Sequence, residues 1–235
     1  MASDSLVDTA RPHAESTIDR TFTDRQVHRG LVLLGAFVVM RALLWGPLWA
    51  QPTPTDPLQY ALLLVVTILV GSVGLVYLGF TRWVGVDLVD WWVDRDRVGR
   101  DVLWGVAGFL LAFAVTAGLA VTFQRLAGPP PAAPVGAAPT LVGTLLLLVF
   151  GFAVASFQEE TLFRGFLQSL FADRVGEWPA VVLQAAAFSV AHVGFYPLSA
   201  WYLFVAAFGG GLVYGWLRKR RDRLLAPGIA HGLLG

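Results

Sequence analysis

Two adjacent carboxylates and a guanidinium interrupt apolar sequence in ASFQEETLFRGFLQSLF, residues 155–171. Glu159, Glu160 and Arg164 follow directly on TLVGTLLLLVFGFAV, a run suited to the middle of a lipid bilayer. A charge at the bilayer centre costs about 2.5–3.5 kcal/mol on insertion scales, and such groups face a bundle interior and pair there. Glu160 and Arg164 stand at i and i+4, share a helix face and can pair, which taken alone is a buried ion pair that fixes packing. Glu159 lies about 100° around a helix from Glu160 and needs a different partner. His192 in AAAFSVAHVGF and His231 in LAPGIAHGLLG are the candidates, whereas His13 and His28 lie in polar sequence and read as solvated. A carboxylate in an apolar pocket can serve as a general base. Neutral imidazoles can hold a water, stabilise an oxyanion or bind a metal, and two histidines with a glutamate could ligate zinc. The chemistry of such a set is hydrolytic. The chain has no H-E-x-x-H, no G-x-S-x-G and no cysteine, which excludes the zincin helix, the serine elbow and a thiol nucleophile.

The elements that must carry these residues are membrane helices. Of 235 residues, 56% are apolar and 14% charged, against about 45–50% and 25% in a soluble domain. Apolar runs cover 31–50, 58–80, 102–123, 140–171, 178–195 and 197–217, with a final stub at 224–235. A span needs about 20 residues, so the pattern predicts an all-α polytopic bundle of six full spans plus a truncated final helix. Residues 1–29 read as a flexible cytosolic tail and 30–235 as a transmembrane helical domain, with the chemistry-bearing core at 140–235. Proline-rich GPPPAAPVGAAP, residues 128–139, reads as a stiff loop.

Charge sets the expected orientation. Arg11, Arg20, Arg25 and Arg29 precede the first run, Arg82, Arg95, Arg97 and Arg100 separate the second from the third, and RKRRDR at 218–223 follows the sixth. The alternate loops 51–57, 128–139 and 194–197 contain no Lys or Arg. Basic residues mark cytoplasmic loops, which predicts a cytoplasmic N-terminus in a multi-pass protein of the cell membrane. The basic run is a positive-inside anchor able to meet anionic lipid headgroups; pinned to a bilayer, it does not suit nucleic acid. The nine tryptophans fall near run ends and predict an interfacial belt. Arg41 and Arg125 are expected to snorkel or pair locally, and the glycines of AAFGGGLVYG to let helices approach closely.

Counting along the chain predicts convergence. With an antiparallel hairpin turning at ADRVGEW, residues 172–178, Glu159 lies about 20 Å and His192 about 21 Å into their helices at 1.5 Å per residue. His231 lies about 12 Å past Arg223, with Pro227 and Gly228 between them.

EETLFR (159–164), FSVAH (188–192), FGGGLVYG (208–215) and HGLLG (231–235) resemble, in order, the motifs of the CAAX protease and bacteriocin-processing family, also called Abi, relatives of the type II CAAX prenyl endopeptidase. The patterns E-E-x-x-x-R and F-x-x-x-H are complete. The resemblance implies an intramembrane endopeptidase in which Glu159 activates water, His192 and His231 hold that water or the oxyanion, and Glu160 and Arg164 support them. It leaves open a divalent metal such as zinc on Glu159, His192 and His231. The family has Asn or Asp four residues after the last histidine, where this chain has Gly235, so a truncated final helix and a degenerate site both stand as readings. The expected partners are a peptide or prenylated protein substrate and membrane lipid. The rival readings are a catalytically degenerate scaffold or bacteriocin-immunity-like protein, and a proton-linked carrier, since intramembrane Glu, Arg and His also mark proton paths. No repeat of the kind carriers show is visible.

Overall fold

A computed structural model describes residues 22–47, 57–127 and 141–234. The loops expected at 51–57 and 128–139 lie largely or wholly outside these, as do Gly235 and most of the N-terminal tail. The described residues form an all-helical bundle. Helix α1 spans Asp24–Trp45. Helix α2 (Pro57–Val66) continues into a π-type stretch, Thr67–Val84. A short α3 (Leu88–Trp92) leads to α4, Val98–Ala127. Helix α5 (Leu141–Val149) runs into a second π-type stretch, Phe150–Leu167, and on into α6, Gln168–Val175. Then come α7 (Glu177–Val190), α8 (Trp201–Arg221) and α9 (Leu225–Gly232).

Five of these helices are long and apolar enough to cross a membrane: Asp24–Trp45, Leu58–Val84, Val98–Ala127, Leu141–Val175 and Leu198–Arg221. The expectation of six full spans is corrected at α7. Its 14 residues reach about 21 Å at 1.5 Å per residue, short of the roughly 30 Å hydrocarbon core. The helix stops because its last turn tightens, with His192 N–H donating to Ser189 O and Val193 N–H to Val190 O. Gly194 follows at φ 85°, left-handed backbone that suits glycine, and Pro197 bars continuation. His192 therefore sits in a turn rather than inside a helix. The first helix also begins earlier than expected. Thr23 caps it in a reciprocal box with Gln26, so residues 24–29 are helical rather than part of a tail.

The tryptophan belt is likewise corrected in part. Trp45 is buried against Tyr60, Phe150 and Phe195, and Trp91 against Phe80; both fill the core, while Trp83, Trp178 and Trp201 stay exposed. The glycine helix behaves as a packing face. A Cβ at Gly211 would lie 3.0 Å from Ala185 Cβ, and one at Gly215 only 2.3 Å from Gln184 Nε2. Gln184 is fully buried and donates to the carbonyls of Gly211 and Val181. Gly215→Val is therefore expected to lower stability by about 1–3 kcal/mol through overpacking, read as a reduced melting temperature in detergent. An unchanged melting temperature would show that α7 and α8 can separate freely.

Candidate active site

The π-type stretch 150–167 is buried along most of its length and is the wall on which the site is built. Helix α9 meets it at close range. A Cβ on Gly151 would fall 2.3 Å from Gly232 O, and Ser156 Oγ donates to Gly228 O at 2.8 Å. Three glycines and a short hydroxyl thus let α9 lie against the wall. On the other side α1 runs past the same stretch, bringing in a residue from 118 positions earlier in the chain.

That contact holds His231 over both glutamates. His231 Nδ1 stands 2.7 Å from Glu160 Oε1, and its Nε2 stands 3.7 Å from Glu159 Oε2. Arg164 Nη1 donates to the same Glu160 oxygen at 3.0 Å, as the i and i+4 spacing predicts. The Arg164 guanidinium also lies 4.2 Å from the Phe188 ring centroid and 5.1 Å from that of Tyr214. With a cation on Glu160, its carboxylate accepts from Nδ1–H, and in the neutral ring the Nε2 of His231 is left as an acceptor.

The main partner of Glu159 is one that the sequence reading passed over. Arg41 Nη1 donates to Glu159 Oε1 at 2.5 Å, both groups being buried. Arg41 does not snorkel, nor does it pair locally. Its guanidinium also lies over Phe195, 4.1 Å from the centroid. A singly placed arginine midway along an apolar helix was the available signal. Glu159 Oε2 has no hydrogen-bond partner, nor has Glu160 Oε2.

His192 reaches the site from the turn after α7. Its Nδ1 donates to Phe188 O at 2.7 Å, which assigns the proton to Nδ1 and leaves Nε2 as an acceptor. The ring stacks on Tyr196, 5.0 Å between centroids. Burial, and then the nearby Arg41 charge, hold this imidazole well below its usual range, so it is neutral. His192 and His231 both line a cavity of about 320 Å³ with Phe188, Tyr196, Tyr214 and α4 residues including Phe113 and Thr116. Glu159 does not line this cavity; it sits behind His231 and lines a smaller space of about 10 Å³ shared with Arg41 and Gln158.

The structure thus gathers Glu159, Glu160, Arg164 and His231 into one contact network and puts His192 on the wall of the same cavity. It does not gather a metal site. Among the described residues no group of three His, Asp or Glu side chains is arranged to hold a metal ion. Each glutamate already carries a guanidinium, and two fixed cations oppose a divalent ion. Zinc on Glu159, His192 and His231 does not fit this donor set.

A bundle of five membrane-length helices enclosing paired carboxylates, imidazoles and an apolar cavity defines the class: an integral membrane protein. Residues 141–234 match the family model described as type II CAAX prenyl endopeptidase Rce1-like. The likeness is confined to this segment, less than half of the chain, and the segment carries all five of the sequence-selected site residues. Neither the curated proteins nor the solved structures gave a match to the chain.

Proposed function

We propose that this protein is an intramembrane endopeptidase that hydrolyses peptide bonds of prenylated or otherwise membrane-associated substrates with water activated by Glu159 and His231. One observation carries the reading: Glu159 Oε2, without a hydrogen-bond partner, faces His231 Nε2 across 3.7 Å while Nδ1 is held on Glu160. A water beside both would donate one hydrogen to each acceptor and direct a lone pair into the cavity. On attack, Glu159 takes the water's proton, the carbonyl carbon becomes tetrahedral, and the same proton then passes to the departing amine nitrogen. Glu160 and Arg164 keep His231 in the tautomer and orientation this needs, as second partners of a working imidazole do. His192 lines the same cavity, and its Nε2 is left as an acceptor. The chemistry uses carboxylate and imidazole alone.

The apolar cavity lining suits a lipid-modified or hydrophobic peptide. The distribution of arginine favours a cytoplasmic N-terminus in the cell membrane, and so a site open toward the cytosolic face. The test is cleavage by the full chain reconstituted in liposomes, with labelled peptides that differ only in a C-terminal prenyl group. Cleavage is expected, faster for the prenylated series. A proton current without any peptide product would favour the carrier reading instead, and folded protein showing neither would favour the scaffold.

A further inference from the structure

The two histidines leave the reaction short of a donor. His192 gives its Nδ1 hydrogen to Phe188 O, and the Nδ1 of His231 is on Glu160. Both imidazoles line the cavity and, as neutral rings, keep only acceptors for it. The negative charge that develops on a carbonyl oxygen under attack needs hydrogen-bond donors. Thr116, also on the cavity wall, directs its hydroxyl to Ala112 O at 2.7 Å.

Tyr196 lines the cavity too, with its ring stacked on His192, but Tyr214 is the tyrosine that stacks on His231, beside the proposed water. Tyr214 lines the cavity and is only 2% exposed, yet its hydroxyl has no hydrogen-bond partner among the described residues. Buried hydroxyls without a partner are uncommon and call for an explanation. The ring is held firmly: it stacks on His231 at 4.6 Å and 17°, with the Arg164 guanidinium 5.1 Å from its centroid. A fixed ring beside the water-holding imidazole, with a hydroxyl bonded to nothing else, is arranged as a preorganised donor.

We propose that Tyr214 is a catalytic residue whose Oη–H donates to the oxygen of the scissile carbonyl as the tetrahedral intermediate forms. The proton stays on Tyr214 throughout; only the hydrogen bond strengthens as charge builds on the oxygen, and it is released when the C–N bond breaks. The assignment rests on the hydrolytic reading above. Tyr214 is thereby distinguished from Glu160 and Arg164, which act through His231.

The test compares the wild-type chain, Tyr214→Phe and Glu159→Gln in liposomes with a labelled peptide and a peptide aldehyde of the same sequence, whose hydrate, formed by addition of water across the C=O, mimics the tetrahedral intermediate. Phenylalanine keeps the stacked ring and removes only the hydroxyl. Y214F is expected to melt at the wild-type temperature or above it, to keep KM within about twofold, and to lose about 10²-fold in kcat, the effect of removing one oxyanion donor. Its aldehyde affinity should fall by the same factor as kcat/KM. A wild-type kcat in Y214F, with Glu159→Gln inactive, overturns the assignment and leaves the hydrolytic reading in place. A lower kcat with unchanged aldehyde affinity also overturns it, since the hydroxyl would then act elsewhere than on the oxyanion. Full activity in Glu159→Gln, or no cleavage by the wild type, defeats the hydrolytic reading and the assignment with it.

Discussion

Glu159→Gln is expected to lower kcat by up to about 10⁴-fold, the upper range for loss of a general base, while leaving the protein folded. The amide has nearly the shape of the carboxylate, and its oxygen can still accept from Arg41, so the α1 contact survives in part. What disappears is the proton acceptor at the position of Oε2, the atom that faces His231 Nε2 and has no other partner. Glu160→Gln should be milder. Glu160 does not face the proposed water; it holds Nδ1 of His231 and accepts from Arg164, so its loss loosens an orientation rather than removing the base. The measurement is single-turnover cleavage by both variants in liposomes, with melting temperatures recorded beside the rates. Should Glu159→Gln cleave at the wild-type rate while Glu160→Gln is dead, the roles of the two carboxylates would be exchanged and the proposed water would sit on the wrong one.

Much of this site could be seen from residue types and spacing, because the rules involved are local. Charges in an apolar run demand partners, which singled out Glu159, Glu160 and Arg164. The i and i+4 rule gave the Glu160–Arg164 pair. What escaped depends on two segments meeting from far apart in the chain. Arg41 finds Glu159 across 118 positions, and nothing near Arg41 in sequence announces that. The stacking of Tyr214 on His231 depends on the angle between α8 and α9, which no periodicity records. The short α7 is a different case. Gly194 and Pro197 after His192 are stop signals of the ordinary kind, but the apolar composition of 178–195 masks them. The early start of α1 was also written locally, in the Thr23 and Gln26 of its capping box.

Arg41→Leu is expected to destabilise the protein by about 3–5 kcal/mol, the range for removing one partner of a buried ion pair. That is a large share of the roughly 5–15 kcal/mol that holds a typical protein folded. The cost arises because Glu159 stays buried, with its charge no longer matched by the guanidinium at 2.5 Å. His231, at 3.7 Å from the other oxygen and already engaged by Glu160, is a poor substitute. Leucine keeps apolar volume beside Phe37 and Phe195, so the loss of packing is small beside the loss of charge. The double variant Arg41→Leu with Glu159→Gln separates the two terms. With no carboxylate to strand, most of the lost stability should return, even though the double variant cannot cleave. Unfolding in detergent, followed for the wild type, both single variants and the double, gives the coupling directly. If the two losses simply add, Arg41 serves as filling between aromatic rings, and α1 is held to the π-type stretch by hydrophobic contact. If they cancel, the guanidinium is what permits an ionised base inside the membrane, and a helix outside the matched family segment is required for the chemistry within it.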